Sequence, residues 1–383
     1  MSRPLCVLAG IIGRFPVGGV TWCALHYIAG LQRLGWDVFY IEDTGECPYD
    51  PVANGITTDP SYAVGYIRRQ LARVGLEQSF SYVDHRGLRW YGAPRSRVAE
   101  VCRSADLLIN LSGGIWRDRA EYERVPRIFV DTDPGFTQQT IADAGPGHYL
   151  DFVSSFDAHF TFATNVGAAD CRLPETPFAW QPTVQPLALD FWPVVPVPDD
   201  APFSTVMSWK IDSFPGMGRG KAAELLRLRE LPAKSGRRLR LAVAGHAPFE
   251  LLSRSGWDVR DAVAETIDPD AYRSFVQASR GELGFAKAMY VETRSGWFSD
   301  RTQCYLASGR PALVRDTGFS ATIPVGEGLL VFDDEEGVLA GLDEIEAAYD
   351  RHASAARELA AERFDAETVV RDLLERSSVH VAA

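Results

Sequence analysis

The chain has 383 residues, 46% hydrophobic and 23% charged, which fits an ordinary globular protein with room for two domains. Its 39 basic and 51 acidic residues give a net charge of −12. That excludes the broad basic footprint of a nucleic-acid binder while leaving room for a local basic pocket. No run of about 18 uninterrupted apolar residues occurs, so no membrane span is expected.

The opening MSRPLCVLAGIIGRFP is broken by Gly10 and Gly13 and carries no cleavage site. It reads as a first strand over residues 4–10 and not as a leader. A glycine-bearing loop (13–19), an amphipathic helix (20–34), a stop at Gly35 and a strand (37–42) follow. This order opens a doubly wound α/β domain. A helix is predicted over 62–74 and buried strands over 105–111, 127–131 and 158–163. Eight prolines fall between 174 and 202, from Pro174 to Pro202, and a stretch so dense in proline predicts a linker. A second α/β unit starts with a strand at 204–209, a loop at 210–220, a helix at 221–230 and a strand at 239–245. Residues 300–308 form a helix stopped by Gly309 and Pro311, and short strands follow at 312–314 and 329–332. The tail from Glu335 is helical, with Asp365 between two helices. The expected domains are 1–181, a linker at 182–203, 204–360, and a last helix at 361–383 crossing back to the first domain.

Cys6, Cys23, Cys47, Cys102, Cys171 and Cys304 form no CxxC pair and stand at no metal-ligand spacing with histidine. Free thiols in a reducing cytosol are the expectation, so the protein is read as cytoplasmic, with no metal site.

Four constellations carry chemistry. Gly18 and Gly19 end the first loop, where glycine lets a ligand approach the backbone and the helix supplies amides; a tight turn without a ligand is the other reading. The loop GMGRGK places Arg219 and Lys221 before a helix, a forked donor and a point charge suited to a diphosphate. It is no Walker A loop, because Ala222 follows Lys221. In SGWFSDR, Gly296, Trp297, Phe298 and Ser299 can wrap a phosphate or a sugar ring. Asp300 can cap the helix or touch the ligand, and Arg301 can reach an anion or a neighbouring carboxylate. Asp316 and Thr317 form either a turn or a further contact. Asp131 and Asp133 follow a buried strand, with His148 beyond them, as candidates to assist an acceptor hydroxyl. His26 and His159 read as packed histidines. No GxGxxG, GxSxG or HExxH occurs.

Taken together, IIGRFPVGGVTWCALHYIAGLQRLGWDVFYIED, GELGFAKAMYVETRSGWFSDRTQCYLASGRPALVRDTGF, PVGEGLLVF and the final ELAAERFDAETVVRDLL resemble the group 1-like GT-B glycosyltransferases over nearly the whole chain. The resemblance implies an α/β fold of two Rossmann-like domains facing a central cleft. It implies transfer of a sugar from a nucleotide-diphosphate sugar, bound as co-substrate, to a small-molecule acceptor. No metal or other cofactor, no nucleic acid and no membrane span are implied. Gly18, Gly19, Arg219, Lys221 and residues 296–301 would meet the donor, together with Asp316 and Thr317. Asp131, Asp133 and His148 would serve catalysis. Many retaining members carry two glutamates separated by seven residues before the helix stop. Here those positions hold Gly296 and Cys304, and Asp300 could replace the ribose contact. A sugar-nucleotide epimerase of the same fold and a non-catalytic partner protein are the alternatives. Sugar, nucleobase, acceptor, stereochemistry and oligomeric state are left open by the sequence.

Overall fold

The computed structural model describes residues 3–117, 119–198, 200–209 and 221–377. Its strands are β1 (Leu5–Ala9), β2 (Asp37–Glu42), β3 (Tyr49–Asp50), β4 (Gly55–Ile56), β5 (Phe80–Val83), β6 (Trp90–Gly92), β7 (Leu107–Leu111), β8 (Arg127–Asp131), β9 (Ala158–Thr161), β10 (Trp180–Pro182), β11 (Phe203–Ser208), β12 (Leu239–Ala244), β13 (Asp258–Asp261), β14 (Gly281–Gly284), β15 (Ala312–Arg315) and β16 (Leu329–Phe332). The chain divides into two compact units.

The first unit takes the residues up to Phe162, Pro174–Ala188 and the chain from Ala366 onward. Its sheet runs β10-β9-β8-β7-β1-β2-β5-β6, parallel except for the antiparallel β5–β6 pair. Strands such as LCVLA and, but for the buried Asn110, LLINL are apolar runs because helices cover both faces of a parallel sheet. The helix Gly18–Arg33 packs on the C-terminal helix Ala366–Arg376. Gly30 permits that approach: a Cβ there would lie 2.6 Å from the Ala366 carbonyl oxygen. His26 is buried and accepts the Ala188 amide at 3.0 Å, so it is a packed histidine.

The second unit takes Ala163–Leu173 and Leu189–Asp365. Its sheet, β13-β12-β11-β14-β15-β16, is wholly parallel. Phe203, Leu241, Leu283, Leu313 and Leu330 from its strands form a core with Leu342 and Ile345 of the helix Glu335–Ala347.

The proline-rich stretch is divided differently from the expected linker. Pro182 ends β10, which lies at the edge of its sheet, where a missing N–H costs no ladder bond. Leu187, Ala188 and Trp192 are fully buried, and the division between units falls at Ala188 and Leu189. Burial of these side chains makes the stretch part of both cores. At the other end the division falls after Asp365, and residues 163–173 belong with the second unit.

In both units the strand order reverses beside the first strand, between β1 and β7 and between β11 and β14. Ligands of doubly wound sheets bind at the carboxyl ends of the strands at that switch point. Among the described residues, no helix is long and apolar enough to cross a membrane, and no group of three or more His, Cys, Asp or Glu is arranged to hold a metal ion.

Candidate functional site

In the second unit the carboxyl end of β11 leads into residues 210–220. Arg219 and most of the GMGRGK loop therefore lie outside the described residues. Lys221 is described: it opens the helix Lys221–Arg227 and is half-buried.

The carboxyl end of β14 leads through the helix Ala288–Thr293 to the SGWFS loop and the helix Asp300–Ala307. Gly296 has φ +79°, and a Cβ there would stand 2.4 Å from the Asn165 amide nitrogen. Its N–H donates to the Thr317 carbonyl at 2.9 Å, and its own carbonyl accepts the Thr164 hydroxyl at 2.8 Å. The glycine is needed for this close packing of three backbone segments. Trp297 stacks on Tyr290 at 4.2 Å. Its carbonyl accepts the Thr317 hydroxyl at 2.7 Å.

Two expected ligand contacts in this region are corrected by burial. Phe298 is 2% exposed, wedged between Phe319 and Phe364 at 4.9 and 5.3 Å, so it is a core side chain and not the wall of a sugar pocket. Thr317 is equally buried, and its hydroxyl and carbonyl both hold the SGWFS loop. Asp316 makes the turn reading the better one. It accepts the Gly318 amide at 2.9 Å and the Ser320 hydroxyl at 2.7 Å.

The cap of the helix Asp300–Ala307 is Ser299, whose Oγ accepts the Arg301 amide at 3.2 Å. Asp300 is the first helical residue, and its Oδ1 accepts the same amide at 2.9 Å. Burial raises its carboxyl pKa above the ordinary aspartate value, with the neighbouring Arg301 charge opposing.

Arg301 is the plainest departure from a ligand role. Its Nε meets Oε1 of the fully buried Glu282 at 2.5 Å, and its Nη1 donates to the Val206 carbonyl at 2.8 Å. Burial, the largest influence, would lower the guanidinium pKa, but the Glu282 charge and hydrogen bond together with Tyr272 and Tyr305 raise it. Arg301 therefore ties the helix start to β14 and β11. The loop, Ser299, Arg301 and Thr302 border a cavity of about 20 Å³, enough for one water and too small for a nucleotide.

In the first unit Gly18 and Gly19 begin the helix Gly18–Arg33. The residue before them, Val17, supplies no side-chain cap. Leading into that helix, three consecutive amides turn inward, Ile12 to the Tyr40 hydroxyl and Gly13 and Arg14 to the Glu42 carboxylate.

At the carboxyl end of β8, Asp131 is 2% exposed. Four donors fill its two oxygens: the Asp133 amide and Thr137 hydroxyl on Oδ1, and Gln138 Nε2 and the Thr161 hydroxyl on Oδ2, at 2.7–3.0 Å. Burial raises its pKa against those hydrogen bonds. A carboxylate so enclosed organises the β8 turn and has no face left for an acceptor hydroxyl, which corrects its expected role as a base. Asp133, half-buried, is held beside it. His148 is exposed at the start of the helix His148–Ser154, and no contact with the two aspartates brings it into their cluster.

Sequence reasoning passed over Glu42 as an anchor and over Glu282 as the partner of Arg301. The local signal for either was a carboxylate adjoining buried apolar strand residues, at the end of β2 for Glu42 and within β14 for Glu282.

No family model matches the chain, and no curated protein matches it in sequence. Solved structures match it along its whole length. An α-glucosyltransferase in complex with UDP-glucose and DNA containing an abasic site aligns with TM-score 0.60 at 10% identity, covering 99% of this chain and 100% of that one. Sucrose-phosphate synthase from Thermosynechococcus elongatus aligns with TM-score 0.55 at 13% identity, covering 98% of both chains. Anabaena Alr3699/HepE in complex with UDP and glucose gives 0.55 at 11%, covering 98% and 99%. The fold is that of the GT-B glycosyltransferases, a pair of Rossmann-like α/β domains.

Proposed function

We propose that the protein is a glycosyltransferase that moves a sugar from a nucleotide-diphosphate sugar to a small-molecule acceptor without a metal ion. The observation that carries this reading is the fold match over at least 98% of the chain to glycosyltransferases, two of them described with UDP or a UDP-sugar. The wholly parallel second sheet supports it, with a helix start and the SGWFS loop at its switch-point edge. In this reading Lys221, Arg219 and the amides around Ser299 and Asp300 balance the diphosphate. Gly18 and Gly19 offer backbone amides to a substrate at the first sheet, and Asp133 and His148 are the remaining candidates to assist the acceptor hydroxyl. One neighbour is described with DNA, but the net charge of −12 here favours a small acceptor over a duplex. A cytoplasmic enzyme fits six cysteines that form no disulfide.

A second reading has one observation in its favour. Cys304, where retaining relatives are expected to carry a glutamate, is 4% exposed in the helix core. An epimerase of the same fold or a non-catalytic partner would be compatible with that. Titration calorimetry with UDP, GDP, ADP and dTDP, followed by nucleotide-release assays with and without acceptor and EDTA, tests the reading. Release that depends on acceptor and survives EDTA is expected. No binding of any nucleoside diphosphate would refute it, and release without acceptor would point to the other enzyme class.

A further inference from the structure

The loop between β1 and the helix Gly18–Arg33 is built around an internal anion. The Ile12 amide donates to Tyr40 Oη at 3.0 Å, the Gly13 amide to Glu42 Oε2 at 2.7 Å and the Arg14 amide to Glu42 Oε1 at 2.5 Å. Tyr40 Oη donates onward to Glu42 Oε2 at 3.1 Å. Consecutive amides converging on one point form the concavity that elsewhere receives a phosphate. Here the concavity is filled from behind, by a carboxylate that is fully buried at the end of β2. The Arg14 side chain bonds to Glu46 and the Cys47 carbonyl, at 3.1 and 3.0 Å, so it reaches Glu42 only through its charge and not through a hydrogen bond.

This arrangement has a directional consequence. The amides of residues 12–14 are unavailable to a ligand, and the chain leaves them in a fixed direction, through Phe15–Val17 into Gly18 and Gly19. We propose that Glu42 is a positioning residue for the transfer reaction: its ionised carboxylate fixes the loop so that the first amides of the helix Gly18–Arg33 stand ready for the substrate. The proposal rests on the glycosyltransferase reading for the identity of that substrate.

Protonation weakens the arrangement. The Gly13 and Arg14 amides can only donate, so the added hydrogen goes to Tyr40 Oη, whose hydroxyl must reverse. The two amides are then left on a neutral and weaker acceptor. The groups facing Glu42 are Tyr40 on its own strand, Tyr82 on β5 and Arg14 in the loop, with Cys23 of the following helix beside Tyr40. Burial pushes the Glu42 carboxyl up to about 7, against the pull of the Gly13 and Arg14 amides, Tyr40 and Arg14. Burial also raises both tyrosines, which stay neutral through this range. Glu42 is therefore the group of this cluster that changes charge near neutrality.

The test has two arms on the full chain. Amide hydrogen exchange at residues 12–14, corrected for intrinsic rate, is compared between pH 8 and pH 6 with no ligand present. kcat and KM are then measured against pH with a nucleotide sugar for the wild type, Glu42→Gln and Tyr40→Phe. Protection at residues 12–14 should fall about tenfold or more on acidification, while β1 stays protected, as expected for losing one charge-assisted hydrogen bond. Glu42→Gln should lower kcat/KM about 10- to 100-fold and flatten the rise in rate near pH 7. Tyr40→Phe, which keeps the carboxylate, should retain that rise and provides the answer if Glu42→Gln does not fold. Equal protection at both pH values, or an active Glu42→Gln with the wild-type profile, overturns the proposal. A wild type inactive on every nucleotide sugar overturns the functional reading instead, which separates the two failures.

Discussion

Replacing Arg301 with Met decides between the two roles its sequence position allows. In the structure Arg301 is a buried brace: its side chain is 12% exposed and faces a Glu282 side chain that is 0% exposed. Glu282 Oε1 holds Arg301 at 2.5 Å, while Glu282 Oε2 has no hydrogen-bond partner among the described residues. Arg301→Met removes the counter-charge and leaves the carboxylate in an apolar setting with no compensating donor. Breaking a buried pair from one side costs about 3–5 kcal/mol. For a domain of about 150–250 residues that corresponds to a fall in melting midpoint of roughly 6–20 °C. Glu282→Leu strands the guanidinium and should cost a similar amount. The double variant removes both charges, and because neither is left uncompensated it should recover most of the loss. Urea unfolding of the four proteins gives the coupling energy directly. The reasoning fails if Arg301→Met unfolds within about 0.5 kcal/mol of the wild type, the range of ordinary surface substitutions. If that stable variant also loses nucleotide binding, Arg301 is a ligand contact after all.

Three further outcomes follow from single sites. Gly296→Ala places a Cβ 2.4 Å from the Asn165 backbone at φ +79°, so calorimetry should show a loss of about 2 kcal/mol or more; an unchanged midpoint would contradict the packing described. Asp131→Asn turns an acceptor with four donors into a group with two donors of its own; it should cost about 1–3 kcal/mol while leaving activity per folded molecule intact. A fully folded but inactive Asp131→Asn would restore its catalytic role. His159 donates its Nε2–H to the Val153 carbonyl at 2.8 Å and stacks on Phe178, and burial lowers its pKa. Below about pH 6.5 the unfolded chain then binds a proton that the native imidazole resists, so this contribution to stability is lost as pH falls. His159→Phe should therefore lose less stability than the wild type between pH 7.5 and 5.5 in parallel denaturation curves, and identical slopes would contradict the assignment.

The order of elements was legible in the chain because it is written in local signals. Apolar runs such as LLINL, stops such as Gly35 and Gly309, and the glycine loop before residue 20 each act within a few residues of themselves. Nearly every predicted strand lies where the structure has one, and the resemblance to the GT-B fold rested on that order. Roles were less legible than elements. Ser299 and Asp300 are both good caps by residue type, and only the backbone path decided that Ser299 holds the position. Arg301 had two plausible partners. The one it takes, Glu282, lies 19 residues upstream and becomes adjacent only when β14 and the helix Asp300–Ala307 pack together. Asp131 looked available because it follows a strand, until Gln138 and Thr161 closed over it from two other elements. The proline-rich stretch looked like a tether because proline excludes helix, but an edge strand and three buried side chains use it as core. Sequence determines where a strand or helix can begin and end, because those preferences belong to neighbouring residues. Only tertiary structure determines whether a polar side chain faces water, a ligand or another buried group. That choice depends on partners far along the chain and on the cost of burying a charge alone.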